Sequence, residues 1–174
     1  SLSADGSVVA IGAPDNDENG YISGHVRIYH NDNGTWTQIG SDIYGEAIYD
    51  ESGHSVSLSA DGSVVAIGAP GNDANRNDNS HMSGHVRIYR NNNGTWTQIG
   101  NDIDGRARGD ESGYSVSLSA DGSVVAIGAR DNSDNGYESG HVRIYRNNNG
   151  TWTQIGSDID GEARYDRSGS SVAL

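Results

Sequence analysis

The loop at residues 15–23 gathers groups suited to holding a hard cation. Asp15-Asn16-Asp17-Glu18-Asn19-Gly20, with Ser23 at the ninth place, reads D-x-D-x-N-G-x-x-S. Alternate oxygen-bearing side chains converge on a cation when a glycine permits a sharp turn, so Asp15, Asp17, Asn19 and Ser23 are candidate calcium ligands. Asp131, Ser133, Asn135 and Ser139 repeat that spacing around Gly136. The corresponding middle stretch departs from it. Asn75, Asn77 and Asn79 stand at the ligand places, Ser80 replaces the glycine, and Asp73 and Asp78 fall out of step. Fewer carboxylates predict a weaker or absent site there. Asp42, Asp50 and Glu51 are candidates to complete a shell. Loops of Asp, Asn and Gly are also the ordinary material of solvated turns, which is the competing reading of all three.

Other polar groups recur along the chain at a fixed spacing. His25, His85 and His141 each precede Val-Arg-Ile, which places Arg27, Arg87 and Arg143 two residues further on. An active site needs asymmetry around one reacting bond, so groups present in every copy predict structural contacts between neighbouring units. Trp36, Trp96 and Trp152 suit packing on the outer edges between units, or stacking on sugars as a multivalent lectin with one weak site per unit. Asn33, Asn93 and Asn149 open Asn-Gly-Thr, a glycosylation sequon that is also a preferred hairpin tip, and they are read as turns. No Ser-His-Asp set stands apart from the repeats, and no histidine cluster has zinc spacing. Paired acids for glycoside hydrolysis can be drawn equally from every copy, which selects none. A non-enzymatic protein is expected.

A repeat must position these groups. S-L-S-A-D-G-S-V-V-A-I-G-A at residues 1–13 returns unchanged at 57–69 and 117–129, a spacing of 56 and then 60 residues. S-G-H-V-R-I-Y begins at Ser23, Ser83 and Ser139, and N-G-T-W-T-Q-I-G at Asn33, Asn93 and Asn149. A period of this size marks units that cannot bury an apolar face alone and stack on copies of themselves. In the second unit, residues 53–59 alternate Val56 and Leu58 with small serines, and Asp61-Gly62 forms a hairpin. Residues 63–69 are apolar on both faces, as a strand buried on both sides must be. Residues 85–90 alternate, 91–94 turn, and 95–100 make the fourth strand. No helix signal appears. The expected class is all-β, with three four-stranded antiparallel β-propeller blades, and a β-trefoil as the alternative. The Ser-rich first strand suits a crowded axis. One repeat domain over residues 1–174 is expected, with units at about 1–52, 53–112 and 113–168, and residues 169–174 entering strand one of a further blade.

Composition narrows the class. The 174 residues are 33% hydrophobic, without Phe or Cys, so no disulfide or thiol site exists. The net charge of −13 argues against nucleic acid and anionic membrane as partners, and no run is apolar enough for membrane insertion. In antiparallel blades, connections 1–2 and 3–4 share one end, and 2–3 and 4–1 the other. Of the 24 acidic residues, only Asp5, Asp32, Asp61 and Asp121 fall at the first end; the other 20 gather at the second, against six arginines. One face is strongly anionic.

The repeats resemble the FG-GAP repeats of integrin α-subunit propellers. Ser52-Gly53-His54-Ser55-Val56 stands for the family's F-G-x-S-V, residues 63–70 (S-V-V-A-I-G-A-P) for its D-L-x-V-G-A-P, and residues 84–89 (G-H-V-R-I-Y) for its G-x-V-Y-V-Y. Gly-Ala-Pro survives at residues 12–14 and 68–70, and becomes Gly-Ala-Arg at 128–130. The resemblance implies extracellular or cell-surface placement, calcium in some blades and recognition of proteins. The family's calcium loop lies between strands one and two, where this chain has only Ala-Asp-Gly, so its site does not carry over to Asp5, Asp61 or Asp121. These are expected to be turn residues.

Three blades are too few for an ordinary closed ring. The expected assembly is a homodimer of six blades, residues 169–174 of each chain completing the first blade of the other, and the alternative is a piece of a longer six- or seven-bladed protein. The expected function is extracellular recognition or adhesion, with calcium on the acidic face bridging to a protein or glycan. A calcium-independent lectin using Trp36, Trp96 and Trp152 is the alternative, and a scaffold without ligand is the third reading.

Overall fold

Asp-Gly and Asn-Gly pairs fold each unit into hairpins. Gly6, Gly62 and Gly122 sit at φ of 72°, 70° and 68°, and Asn33, Asn93 and Asn149 at 51°, 51° and 52°. That is the left-handed geometry tight hairpins demand. At each Asp-Gly turn the aspartate accepts the amide two residues on, with Ser7, Ser63 and Ser123 donating at 2.9 Å. The Ser119 hydroxyl and the Ser123 amide hold the Asp121 carboxyl down at about 2; the Ser7 amide and the Ser3 hydroxyl do the same for Asp5. These aspartates serve the turns, as expected.

The computed structural model describes residues 1–73 and 82–174, so the middle-loop positions Asn75, Arg76, Asn77, Asp78, Asn79 and Ser80 lie outside the described residues. The first blade holds β1 (Val8–Ala13), β2 (His25–Asp32), β3 (Thr35–Gln38) and β4 (Ile43–Tyr44). The second holds β5 (Ser55–Leu58), β6 (Val64–Ala69), β7 (His85–Asn92), β8 (Thr95–Gln98) and β9 (Ile103–Asp104). The third repeats it with β10 (Ser115–Leu118), β11 (Val124–Ala129), β12 (His141–Asn148), β13 (Thr151–Gln154) and β14 (Ile159–Asp160). All three sheets are antiparallel, in the order β5-β6-β7-β8 and its equivalents. The architecture is all-β, as expected, and is that of blades rather than a trefoil. In the first blade, strand one is reduced to a bridge between Leu2 and Val9.

The outer strand differs from expectation. Residues 101–104 are not simply connecting loop: β9 rejoins β7 through Val86–Ile103 and His85–Asp104 after a break at residues 99–102. Ile103, 6% exposed, anchors the second segment, and Gln98 Nε2 donates to Asp102 Oδ1 at 2.6 Å across the break. Asp42, Asp102 and Asp158 therefore lie at the break within the outer strand, not in a 4–1 connection.

The core sits between blades. Val65 and Ile67 of β6 face backward, packing with Val8, Ala10, Val26, Ile28 and Ile43 of the first blade. Val64 and Ala66 face forward, packing with Val116, Leu118, Val125 and Ile127 of the third. All six β6 residues are consequently buried. Around the axis, Ala4 N donates to Ala60 O and Ala60 N to Ala120 O, both at 2.8 Å. Ser55 Oγ and Ser115 Oγ donate to Gly113 O and Gly169 O at 2.7 Å, which explains the small Ser-rich first strand.

Close approach also fixes the glycine of Gly-Ala-Pro. A Cβ on Gly68 would lie 2.0 Å from Gly113 O, and one on Gly12 or Gly128 would meet Gly53 O or Gly169 O as closely. Gly94, at a hairpin tip, has open space around it and φ of 88°. Gly68→Ala is therefore expected to lower the melting temperature far more than Gly94→Ala, whose cost of about 1 kcal/mol is backbone strain alone. Equal shifts in the two melts would contradict the blade contact.

Candidate metal-binding and recognition sites at the loop end

The antiparallel order brings the 2–3 and 4–1 connections to the end where β2, β7 and β12 begin. In the first-blade loop, Asp15 is exposed. Asp17 Oδ1 accepts the Ile22 amide at 2.6 Å, Asn19 Nδ2 donates to Gly45 O at 2.7 Å, and Ser23 Oγ to Asn16 O at 3.3 Å. The third-blade loop repeats this pattern. Ser133 Oγ accepts the Glu138 amide at 3.0 Å, Asn135 Nδ2 donates to Gly161 O at 2.8 Å, and Ser139 Oγ to Asn132 O at 3.5 Å. Asp131 differs from Asp15, since Arg130 and Arg167 stand 3.5 and 3.4 Å from its carboxylate. Those arginines occupy the positions of Pro14 and Glu51, so the two loops are not equivalent in charge. Asp50, only 1% exposed, is spent on the amides of Glu46 and Ala47 and on Asn72 Nδ2. Glu51 lies 3.7 Å from His54.

A second constellation forms where sequence spacing alone showed none. Three triads, Glu18–His25–Asp42, Glu46–His85–Asp102 and Asp134–His141–Asp158, bring one ligand atom from each member within 4.8 Å of the others. They could hold metal ions. Each histidine opens strand three and is buried, and Asp42, Asp102 and Asp158 come from the outer-strand break. In the first blade, Gln38 Nε2 donates to Asp42 Oδ1 at 2.6 Å, Arg27 Nε to Asp42 Oδ2 at 2.8 Å, and the Tyr44 hydroxyl to Glu18 at 3.0 Å. Burial works against the Asp42 carboxylate, but the Gln38 and Arg27 bonds outweigh it and hold its pKa below the usual range. In the third blade, burial, with Arg143 second, pushes the His141 imidazole down, so it is neutral near pH 7. The signal was present in the chain: each histidine has an aspartate 17 residues on, in every copy.

Between blades lie grooves. One of about 450 Å³ is lined by Asp102, Ile103, Asp104, Tyr145 and Trp152. Its counterpart, about 290 Å³, is lined by Asp42, Ile43, Tyr44, Tyr89 and Trp96. The tryptophans are the pins of these boundaries, as expected of outer-edge packing. Trp96 Nε1 donates to Ile39 O and Trp152 Nε1 to Ile99 O, both at 2.9 Å, each reaching the preceding blade. Arg87 Nη2 likewise donates to Tyr44 O at 2.8 Å and Arg143 Nη2 to Asp104 O at 3.3 Å. Trp36 and Arg27 have no preceding blade among the described residues. Trp36 is 44% exposed, and Arg27 turns to its own blade's Asp42.

No family model matches the chain, and no curated protein matches it. Among solved structures, the chain is similar to a putative 6-phosphogluconolactonase from Bacteroides uniformis, with a TM-score of 0.55 and 18% identity over 92% of this chain and 39% of that one. It is also similar to the periplasmic gluconolactonase PpgL of Pseudomonas aeruginosa, with a TM-score of 0.50 and 14% identity over 86% and 37%. The three sheets are blades of the kind found in these lactonase propellers. The chain spans less than two fifths of either relative's length, and at this identity the likeness is one of fold.

Trp152→Phe keeps most of the packing but removes the indole N–H, leaving the Ile99 carbonyl without its partner. A loss of about 1 kcal/mol is expected from the denaturant midpoint, with an unchanged slope. An unaltered midpoint would contradict the pinning role.

Proposed function

We propose that the protein is a non-enzymatic recognition module of the extracellular adhesion type, working through the anionic loop end of its blades. The observation that carries this reading is charge. The antiparallel order directs to one end the loops that hold 14 of the 23 described acidic residues, with Asp42, Asp102 and Asp158 at the outer-strand breaks beside them, and such a field draws in cations and cationic partner surfaces. The FG-GAP resemblance of the repeats favours the same reading. Calcium at Asp15 and Asp17 is the proposed bridge to a protein or glycan. Asn19 and Ser23 give only hydrogens to backbone carbonyls, which leaves Asn19 Oδ1 and Ser23 Oγ to join the two carboxylates, with water, around an ion held at a dissociation constant of roughly 10⁻⁴–10⁻³ M. The Asp131 loop, already neutralised by two arginines, is the weaker of the pair.

The same reading completes the ring with a second copy of the chain. Trp36, Arg27 and Asn16 stand where Trp96, Arg87 and Asn72 meet a preceding blade, and the third blade offers the matching Ile155 and Asp160 carbonyls and the Asp166 carboxylate. Ile159 is 54% exposed, whereas its counterparts Ile43 and Ile103 are 7% and 6% exposed, and Ile155 is 39% exposed where Ile39 and Ile99 are partly buried against the next blade. Ile11, 51% exposed, lacks the strand-one neighbour that Ile67 and Ile127 have in Val56 and Val116; Val172 of the other copy is the equivalent residue.

A second reading is favoured by the grooves. Tyr145 and Trp152 beside Asp102 and Asp104 combine an aromatic surface with hydrogen-bond acceptors, the pairing a sugar ring requires. Glycan binding that persists in EDTA and is lost on Asp104→Asn, with an unchanged melt, would favour this lectin reading.

The first reading predicts that calcium at about ten times its dissociation constant stabilises the fold by about 1.4 kcal/mol, a rise of a few degrees over the same sample in EDTA. Asp15→Ala should abolish most of it. No rise in calcium would remove the ion from the proposal.

A further inference from the structure

We infer that the first- and third-blade triads, Glu18–His25–Asp42 and Asp134–His141–Asp158, each bind one divalent transition-metal ion of the zinc class. This goes beyond the calcium proposed for the loops and uses different residues. His25 is 5% exposed and His141 fully buried, yet His25 Nδ1 and both ring nitrogens of His141 have no hydrogen-bond partner among the described residues. A buried imidazole nitrogen without a partner is costly unless something satisfies it.

The Nδ1 of each histidine faces carboxylate oxygen at a distance too long for a hydrogen bond. His25 Nδ1 is 3.9 Å from both Glu18 Oε2 and Asp42 Oδ2, and His141 Nδ1 is 3.8 Å from Asp158 Oδ2. Separations in this range suit ligand atoms spread around one ion at bonds of about 2 Å, after slight contraction. One nitrogen and two carboxylate oxygens, with places left for water, match zinc-class ions, whereas calcium prefers six to eight oxygens.

The surroundings supply the other requirements. Gln38 and Gln154 hold the far oxygens of Asp42 and Asp158 at 2.6 Å, orienting the near ones toward the histidine. Glu18 and Asp134 are exposed and give the ion a way in. An arginine already touches each site, Arg27 on Asp42 at 2.8 Å and Arg106 on Asp158 at 2.9 Å. Both arginines are well exposed, at 38% and 54% of the side chain, so each can swing into solvent when an ion takes the Oδ2 atom it contacts. With a neutral histidine, Glu18 and Asp42 against Arg27 leave the first site negative, and Asp134, Asp158 and the nearby Asp110 outnumber Arg106 and Arg143 at the third. The second-blade triad takes Glu46 from the preceding blade and pairs it with Arg87 at 3.4 Å, and the inference does not extend to it.

The test titrates tag-free protein with Co²⁺ as a spectroscopic stand-in for Zn²⁺, following the visible d–d absorption, then competes with Zn²⁺ and with a large excess of Ca²⁺. Two equivalents per chain are expected, displaced by Zn²⁺ and retained in Ca²⁺. Asp134→Asn alters an exposed side chain, so it should leave the fold intact and remove one equivalent; His141→Gln should do the same where it folds. Fewer than two equivalents in the parent chain, displacement by calcium, or an Asp134→Asn variant that still binds two would overturn the inference.

Discussion

Nothing substantial is buried in this protein until one blade stands against another. Each blade is a single antiparallel sheet, and its second strand is apolar on both faces. The forward residues Val64 and Ala66 and the backward residues Val65 and Ile67 need different neighbours. Fully burying a side chain of this size stabilises by about 1.5–3 kcal/mol, and here all of that gain belongs to boundaries between blades. The 56- and 60-residue repeat is the sequence expression of this constraint, and the exposed Ile11, Trp36, Ile155 and Ile159 are what it leaves at the two outermost faces.

Close stacking then dictates where side chains must be small. Gly12, Gly68 and Gly128 allow the incoming connection to cross the second strand, and the serines of strand one bond to the backbone of the next blade. With that frame held constant, variation is concentrated at the loop end. Pro14 and Pro70 become Arg130; Glu51 and Glu111 become Arg167; Glu46 becomes Arg106 and then Glu162. Arg106 sets a charge beside Asp158 of the third cluster, whereas Arg130 and Arg167 change the charge around Asp131 of the third-blade loop. The three blades thus offer one scaffold with three electrostatic settings.

Much of this was legible in the chain. Period-two alternation and Asp-Gly and Asn-Gly turns located the first three strands of each unit, because hairpin geometry is a local property of those residues. The tail of the outer strand was missed because Ile103 and Asp104 follow a break bridged by Gln98 and Asp102, and two residues carry no periodicity. The calcium motif was legible as spacing, but not the bond from Asn19 Nδ2 to Gly45 O, since that depends on the 4–1 connection lying against the loop. The triads escaped for the same kind of reason. His25 and Asp42 meet only when the outer strand folds back onto the start of β2, a contact set by sheet pairing rather than by spacing along a strand. Their recurrence at a constant separation was the available clue.

The account stands or falls on the open blade faces being closed by an identical chain. The direct measurement is the mass of the folded protein in solution, by light scattering on the eluting peak at micromolar concentration. The account predicts a closed pair at twice the 18.3 kDa chain mass, reverting to single chains on Trp36→Ala with Ile159→Asp. A folded, monomeric 18.3 kDa species with those faces in water would contradict it.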